Sequence, residues 1–271
     1  MKPAPFDYTA VATLSEATAC LAGDEEAKVL AGGQSLLPLM ALRLSRPTLL
    51  VDINGLGLDH VVLDQDVTPA RLRIGALTRH VILETSALVG RVATALCEAA
   101  GQIGYPAIRS RGTLGGSLAH ADPVAQLPAV LLALGASVRA EGPGGHREVP
   151  VAGAGTGTAW REHAPRSGDF ALCGVAAVVT LAPDRTLSRA GLAGCGLGPV
   201  AADLSAAVSP FIGARRLDPE NLTSLGQEAS AMVEPPDDVH ASAADRRVLA
   251  GRLAADSVAT AWSRAEQSLE R

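Results

Sequence analysis

Two glycine-rich segments constrain the fold of this 271-residue chain more than any other feature. The first covers residues 31–36 (AGGQSL) and the second residues 111–117 (RGTLGGS), and each lies just ahead of an apolar, helix-like stretch. Glycine allows positive φ and a close approach of backbone to ligand, and free N–H groups at the following helix start favour an anion. We therefore expect the two turns to clamp a dinucleotide through its diphosphate.

Neither segment matches a single-loop nucleotide fingerprint. The spacing of the glycines differs from that of the dinucleotide-binding loop, and the Gly-Lys-Ser/Thr ending of a Walker A loop is absent. Taken alone, each glycine pair is more often an ordinary strand-to-helix turn than a ligand site. The flanking sequence decides between these interpretations.

With their flanks, both segments closely resemble the FAD-binding subunit of the molybdenum hydroxylases. That family includes the medium chain of aerobic carbon monoxide dehydrogenase and the flavin domain of xanthine dehydrogenase. The long matching segments are residues 31–53 and 108–134, and shorter ones lie at 6–8, 73–76, 168–171 and 238–253. The resemblance therefore extends over nearly the whole chain.

This resemblance implies an α+β fold with two domains. Residues 1–165 would form a two-lobed FAD-binding domain of the PCMH/vanillyl-alcohol-oxidase type, with lobe one at about 1–55 and lobe two at about 56–165. Residues 166–271 would form a C-terminal α+β domain of the CO dehydrogenase flavoprotein type. The diphosphate of FAD would lie between the two lobes, with one glycine turn on each side.

The resemblance also implies which residues contact FAD. The expected contacts are Ala31, Gly32, Gly33, Gln34, Ser35, Leu36, Ile103, Thr113, Gly115, Gly116, Ser117, Asp122, Gln126 and Arg161. For Asp122 and its neighbour His120, a loop pair held by local backbone hydrogen bonds is an alternative. Arg109 and Arg111 could reach phosphate or remain solvated at a loop rim.

The function implied by the resemblance is electron transfer. Electrons would arrive from iron–sulfur clusters on a small partner subunit and leave through FAD to an acceptor, while a large partner subunit carries the molybdenum cofactor. Because a flavin carries the redox chemistry itself, we assign no catalytic acid or base to the chain. The chain would thus be a flavin-dependent oxidoreductase subunit.

Composition excludes several other classes. The net charge of −5 argues against a nucleic-acid partner. The longest apolar stretch, residues 171–182, is too short to span a bilayer, and the start of the chain lacks a signal-peptide pattern. We therefore expect a cytoplasmic protein without a membrane partner.

The cysteines and histidines do not predict a metal or iron–sulfur site in this chain. Cys20, Cys97, Cys173 and Cys195 are widely separated, with no C-x-x-C pair, and are expected to be buried small hydrophobes in a reducing compartment. No two histidines have the helical i, i+4 spacing of a zinc site.

Three departures from the family pattern support a second hypothesis. Only a short Gly/Ala-rich bridge, residues 151–157, stands where the family has an extra segment near the flavin ring. Gln126 replaces an acidic residue, and Asp245 replaces a tyrosine. The chain could accordingly be a repurposed, stand-alone monomer or homo-oligomer that binds or transforms another small molecule without redox chemistry, or a structural subunit that has lost FAD.

Hydrophobic periodicity predicts the elements that carry these segments. Helices are predicted at 15–22, 35–44, 78–83, 89–103, 123–134, 201–208, 219–233 and 243–265. Strands are predicted at 28–31, 49–53, 61–63, 71–75, 170–181 and 187–197.

Overall fold

The chain begins with a small parallel β-α-β lobe, seen in a computed structural model that describes residues 2–66, 71–136, 138–140 and 156–270. Its elements are β1 (Asp7–Ala10), α1 (Leu14–Gly23), β2 (Lys28–Leu30), α2 (Leu36–Ala41) and β3 (Leu49–Asp52). The strands lie in the order β1-β3-β2, with Val51 of the central strand paired to Thr9 and Val29. The Thr13 side chain caps α1.

Helix α2 is shorter than the sequence predicts, because the chain turns left-handed at Arg43, where φ is +60°. The Leu44 N–H donates to the Leu39 carbonyl and the Arg43 N–H to the Met40 carbonyl. Such bonds close a helix whose next residue is left-handed, a position that glycine usually occupies. The prediction of a helix to residue 44 is therefore wrong. Because residue 43 is an arginine and not a glycine, the sequence carries no signal for this helix end.

In its described residues, the second lobe joins a two-stranded antiparallel sheet to six short helices. The elements are β4 (Val61–Asp64), β5 (Arg71–Ile74), α3 (His80–Thr85), α4 (Ala87–Val92), α5 (Thr94–Gln102), α6 (Pro106–Arg109), α7 (Leu114–His120) and α8 (Gln126–Leu134). The predicted helix at 89–103 is interrupted at Ala93, whose φ and ψ are −143° and 63°.

The predicted helix at 123–134 begins later, at Gln126. Before it, the Asp122 carboxylate accepts from the Val124 N–H at 3.0 Å, which fixes a local turn. The Pro123 carbonyl accepts from the Gly196 N–H of the last domain at 2.9 Å. Pro123 therefore belongs to a connecting turn and not to the helix.

The last part of the chain is a four-stranded antiparallel sheet with helices on it. Its elements are β6 (Thr156–His163), β7 (Cys173–Leu181), β8 (Leu187–Cys195), β9 (Ala202–Asp203), α9 (Ser205–Val208), α10 (Pro219–Ala231) and α11 (Ala243–Leu269). The strands lie in the order β6-β7-β8-β9. Two apolar clusters cover the two faces of the sheet, one shared with α10 and α11 and the other with α5 and α8, which explains the long apolar run of β7.

One element of this sheet differs from the sequence-based prediction, and one residue of the helix packed on it has a role that the sequence analysis did not assign. The predicted helix at 201–208 is a short strand paired with Ala193 and Gly194, followed by one helical turn. Asp245, expected as a substitution for a tyrosine, is the third residue of α11 and forms a capping box with Ser242. Its carboxylate therefore has a local structural role.

Glu98 of α5 links the second lobe to this sheet. Its carboxylate accepts from the backbone N–H of Trp160 in β6 at 2.9 Å and pairs with the Arg264 guanidinium of α11 at 2.5 Å.

Within the described ranges, none of the helices combines the length and the apolar character that a membrane span requires.

Candidate functional site

The two glycine turns meet across one cleft of about 410 Å³. The residues that line it include the predicted contacts of both turns: Ala31, Gly32, Gly33, Gln34, Ser35, Leu36, Thr113, Gly115, Gly116 and Ser117. The cleft is also lined by residues that the sequence analysis did not name as contacts, among them Lys28, Ile53 and His80. These three lie outside the glycine-rich segments, and only folding brings them to the same cleft. His120, for which the sequence left a cofactor contact or a local loop role open, lines the cleft as well.

The first turn presents unused hydrogen-bond donors. Gly33 has a φ of +71°, which turns the chain from β2 towards α2. The Gln34 side chain bonds back to the Gly32 carbonyl at 3.0 Å and stiffens the turn. Within the described residues, the backbone N–H groups of Gln34 and Ser35 and the Ser35 hydroxyl have no protein partner, so they are available to an anion.

The second turn differs from the expectation, because its backbone donors are already used. The N–H groups of Leu114 and Gly115 donate to the carbonyls of Thr78 and Ala76 at 3.0 and 2.8 Å. The Gly116 N–H donates to the Thr113 hydroxyl at 3.2 Å, as in any capped helix. This turn therefore supplies a close-fitting wall and the Ser117 hydroxyl, and not a set of free N–H groups.

The walls of the cleft fit only glycine at the points where the backbones meet. A Cβ on Gly32 would lie 2.3 Å from the Arg111 carbonyl oxygen, and one on Gly115 would lie 2.7 Å from the Ala76 Cβ. Both distances are far below van der Waals contact. The close approach and the free donors opposite it fit a diphosphate.

His80 lines the cleft with a buried imidazole ring. Its Nε2 lies 3.0 Å from the Thr113 carbonyl oxygen, so Nε2 carries the proton and donates to it. Burial is the main cause that lowers the pKa of His80, and the nearby charges of Arg109 and Arg79 lower it further. Its Nδ1 is buried against Gly112 and has no hydrogen-bond partner among the described residues.

Four predicted contacts lie outside this cleft. Ile103 ends α5 and packs on the apolar cluster, and Asp122 holds the turn before α8. Arg161 lies 3.9 Å from Glu98 in an ion pair and donates to the Thr260 hydroxyl. Gln126 is buried. Contact of these four with a cofactor remains a prediction.

Gln126 has a carboxylate neighbour that sequence reasoning did not identify. Its Nε2 donates to Glu162 at 3.2 Å, and the Trp160 indole donates to the same oxygen at 3.0 Å. Burial raises the pKa of Glu162, while the two hydrogen bonds oppose that shift.

Arg109 and two of the cysteines have structural roles away from the cleft. Arg109 pairs with Glu84 at 2.7 Å and donates to the Gly104 carbonyl, away from the cleft. Burial raises the pKa of Cys173 to about 12 and that of Cys195 well above its usual value, so both stay as unreactive thiols. No cluster of metal-ligating side chains occurs among the residues that the structure describes.

Comparison with known proteins identifies two matching family models. Residues 4–157 match the FAD binding domain in molybdopterin dehydrogenase, and residues 158–261 match the CO dehydrogenase flavoprotein C-terminal domain. Together the two matches cover most of the chain, and they confirm the resemblance seen in the sequence.

Full-length relatives agree with these matches. The chain is 38% identical to subunit alpha of the 6-hydroxypseudooxynicotine dehydrogenase complex of Paenarthrobacter nicotinovorans, over 100% of this chain and 99% of that protein. It is 32% identical to the medium chain of carbon monoxide dehydrogenase of Hydrogenophaga pseudoflava, over 97% and 99% respectively.

Solved structures share the fold as well. A carbon monoxide dehydrogenase structure from Hydrogenophaga pseudoflava superposes with a TM-score of 0.91 at 32% identity, over 97% of this chain and 99% of that one. Quinoline 2-oxidoreductase from Pseudomonas putida 86 gives 0.87 at 29% identity, over 99% and 100%.

Proposed function

Since this chain belongs to the family of FAD-binding flavoprotein subunits of molybdopterin dehydrogenases, we propose that it passes electrons from an iron–sulfur partner subunit through FAD to an acceptor. Membership of this family makes the chain a flavin-dependent oxidoreductase subunit. The observation that carries the proposal is the cleft between the glycine turns, with free donors on one side and a Cβ-free wall on the other.

Bound FAD supplies the redox chemistry, and the chain supplies its position. The N–H groups of Gln34 and Ser35 would hold the diphosphate, with the hydroxyls of Ser35 and Ser117 on either side of it. Lys28 lies in the lining of the same cleft and adds a positive charge beside the anion. A diphosphate bound there replaces water with fixed donors on the protein.

The four predicted contacts outside the cleft are proposed for the part of FAD beyond the diphosphate. Gln126 is the most informative of them, because its amide is oriented by Glu162. With Nε2 donating to that carboxylate, the Gln126 carbonyl oxygen is the group left to accept from a cofactor hydroxyl. Ile103, Asp122 and Arg161 are proposed on the resemblance alone.

The proposed partners are an iron–sulfur small subunit and a molybdenum-cofactor large subunit. The relatives support an assembly, because they are named as subunits or medium chains of larger enzymes. The alternative, a stand-alone protein without redox chemistry, depends on the shortened bridge at 151–157. That bridge lies largely within residues 141–155, outside the described residues, and no structural observation favours the alternative.

The test is purification of the tagged chain from its own cells under gentle conditions. We expect two further polypeptides to copurify in stoichiometric amounts, with iron, molybdenum and FAD in the same fraction. Reduction by the substrate of the complex should then bleach the visible flavin absorbance. A chain that purifies alone and without iron or molybdenum would contradict the proposed role.

A further inference from the structure

A polar pair, Asn54 and Arg79, joins the two glycine turns and lies outside the lining of the cleft. Asn54 follows β3, and its side-chain amide donates to the Ala31 carbonyl of the first turn at 2.9 Å. Arg79 precedes α3 and donates from Nη2 to Asn54 Oδ1 at 2.7 Å and from Nη1 to the Arg111 carbonyl at 2.5 Å. Three hydrogen bonds therefore run from the backbone of one turn to the backbone of the other.

Both members of the pair are held in place by other groups. Asp52 Oδ1 accepts from the Asn54 backbone N–H at 2.8 Å and from its side-chain Nδ2 at 2.7 Å, which fixes the orientation of the amide. The backbone of Arg79 forms a β-bridge with Thr113 in the second turn. The guanidinium is thus attached to lobe two. It donates from one nitrogen to the Arg111 carbonyl of lobe two and from the other to Asn54 of lobe one.

The two turns face each other without a side chain between them at Gly32, which lies against the backbone carbonyl of Arg111. Neither Asn54 nor Arg79 lines the cleft. Any effect of the pair on a bound diphosphate must therefore act through the position of the turns.

We infer that Arg79, through Asn54, is a positioning residue that fixes the width of the cleft for the FAD diphosphate. This inference rests on the proposed function, because it assigns a role within the same site. A residue that acted on the diphosphate through its charge alone could be replaced by lysine. The positioning role instead requires the two donor nitrogens of the guanidinium, and a positive charge by itself does not suffice.

The first arm of the test measures the dissociation constant of FAD for variants of the apo chain. Arg79→Lys keeps the charge but has one donor nitrogen in place of the two that reach Asn54 and Arg111. It should therefore weaken binding about as much as Arg79→Met, by roughly ten- to hundredfold for a lost charge-assisted hydrogen bond. Arg91→Met removes an exposed charge from α4 and serves as the matched control, with unchanged affinity. Wild-type affinity in Arg79→Lys would overturn the inference.

A double variant tests whether Asn54 and Arg79 act as one unit. Asn54→Ala breaks the same chain of hydrogen bonds, so Asn54→Ala with Arg79→Met should bind FAD no more weakly than the worse single variant. Losses that multiply would mean that the two side chains act separately, which contradicts a shared positioning role.

The second arm needs no FAD. Hydrogen–deuterium exchange of the apo chain reports the hydrogen-bonded amides of Leu37, Leu114 and Gly115 in the two turns. Arg79→Met and Asn54→Ala should speed their exchange and leave the amides of β7 unchanged. If wild type fails to bind FAD while the variants lose this protection, the proposed function falls and the positioning role stands. Unchanged exchange together with unchanged affinity overturns the positioning role.

Discussion

The Arg111 carbonyl oxygen lies 2.3 Å from the place where a Cβ of Gly32 would stand, so the two turns touch through bare backbone. An alanine at residue 32 must push the turns apart. We expect Gly32→Ala to weaken FAD binding by at least about tenfold, the equivalent of about 1.4 kcal/mol. The dissociation constant, followed by quenching of flavin fluorescence, checks this.

A control for that variant exists in α1. A Cβ on Gly23 meets nothing within 4 Å, and its φ is not positive, so Gly23→Ala should leave FAD affinity unchanged. Equal affinities for Gly32→Ala, Gly23→Ala and wild type would show that the contact between the turns is irrelevant to the cofactor.

A second prediction concerns the packing of β6 on α11. A Cβ on Gly157 would lie 1.9 Å from the Ala261 carbonyl oxygen and 2.4 Å from the Ala265 nitrogen, both backbone atoms. We expect Gly157→Ala to lower the free energy of unfolding by about 1–3 kcal/mol or more, as overpacking does. Urea unfolding measures this.

The matched control is Gly198→Ala, since the nearest atom to its added Cβ is 3.9 Å away. It should unfold within about 0.5 kcal/mol of wild type, as surface changes usually do. If Gly157→Ala proved equally harmless, the close packing of helix on strand would be wrong.

The Glu98 carboxylate gives a third prediction. It holds Arg264 and the Trp160 N–H, and both charged side chains are mostly shielded from water. Glu98→Ala should cost about 1–3 kcal/mol, because it leaves these donors without their acceptor. For comparison, Glu270→Gln breaks the exposed pair with Arg185, and we expect it to cost less than about 1 kcal/mol. Similar losses for both variants in urea unfolding would contradict this ranking.

Acid stability provides a fourth prediction. The backbone N–H groups of His240 and Ala241, and the Arg246 guanidinium, lower the pKa of Asp238 from 3.8 to about 2. Because the folded pKa lies below the unfolded one, this stabilisation is present above pH 3.8 and is lost as the pH falls towards 2. Asp238→Asn should therefore lose less stability than wild type across that window. Identical pH profiles of the urea midpoint would refute the assignment.

The sequence predicted the main feature of the site because a glycine-rich turn can be recognised from a few consecutive residues. Residues 31–36 and 113–117 could be recognised and expected to meet. His80, Asn54 and Arg79 could not be found in this way, since their roles depend on hydrogen bonds to residues about 20 to 40 positions away. For the same reason, the sequence could not show that the carbonyls of Thr78 and Ala76 accept hydrogen bonds from N–H groups of the second turn.

The helix and strand predictions erred where local signals were weak. Helix α2 ends just before the left-handed turn at Arg43, and the helix predicted at 89–103 is broken at Ala93. Neither of these two positions is a glycine or a proline, so the sequence does not mark the interruption. The capping box of Ser242 and Asp245 was readable, as a serine followed three residues later by an acidic side chain. The boundary near residue 165 and the roles of Ile103, Asp122, Gln126 and Arg161 remain predictions.

The most direct measurement is the flavin content of the purified chain after incubation with FAD and removal of the excess. The account predicts a flavin absorbance spectrum and, on denaturation, release of FAD in stoichiometric amount. A folded, colourless chain that releases no FAD would contradict the claim that the cleft between the two glycine turns holds this cofactor.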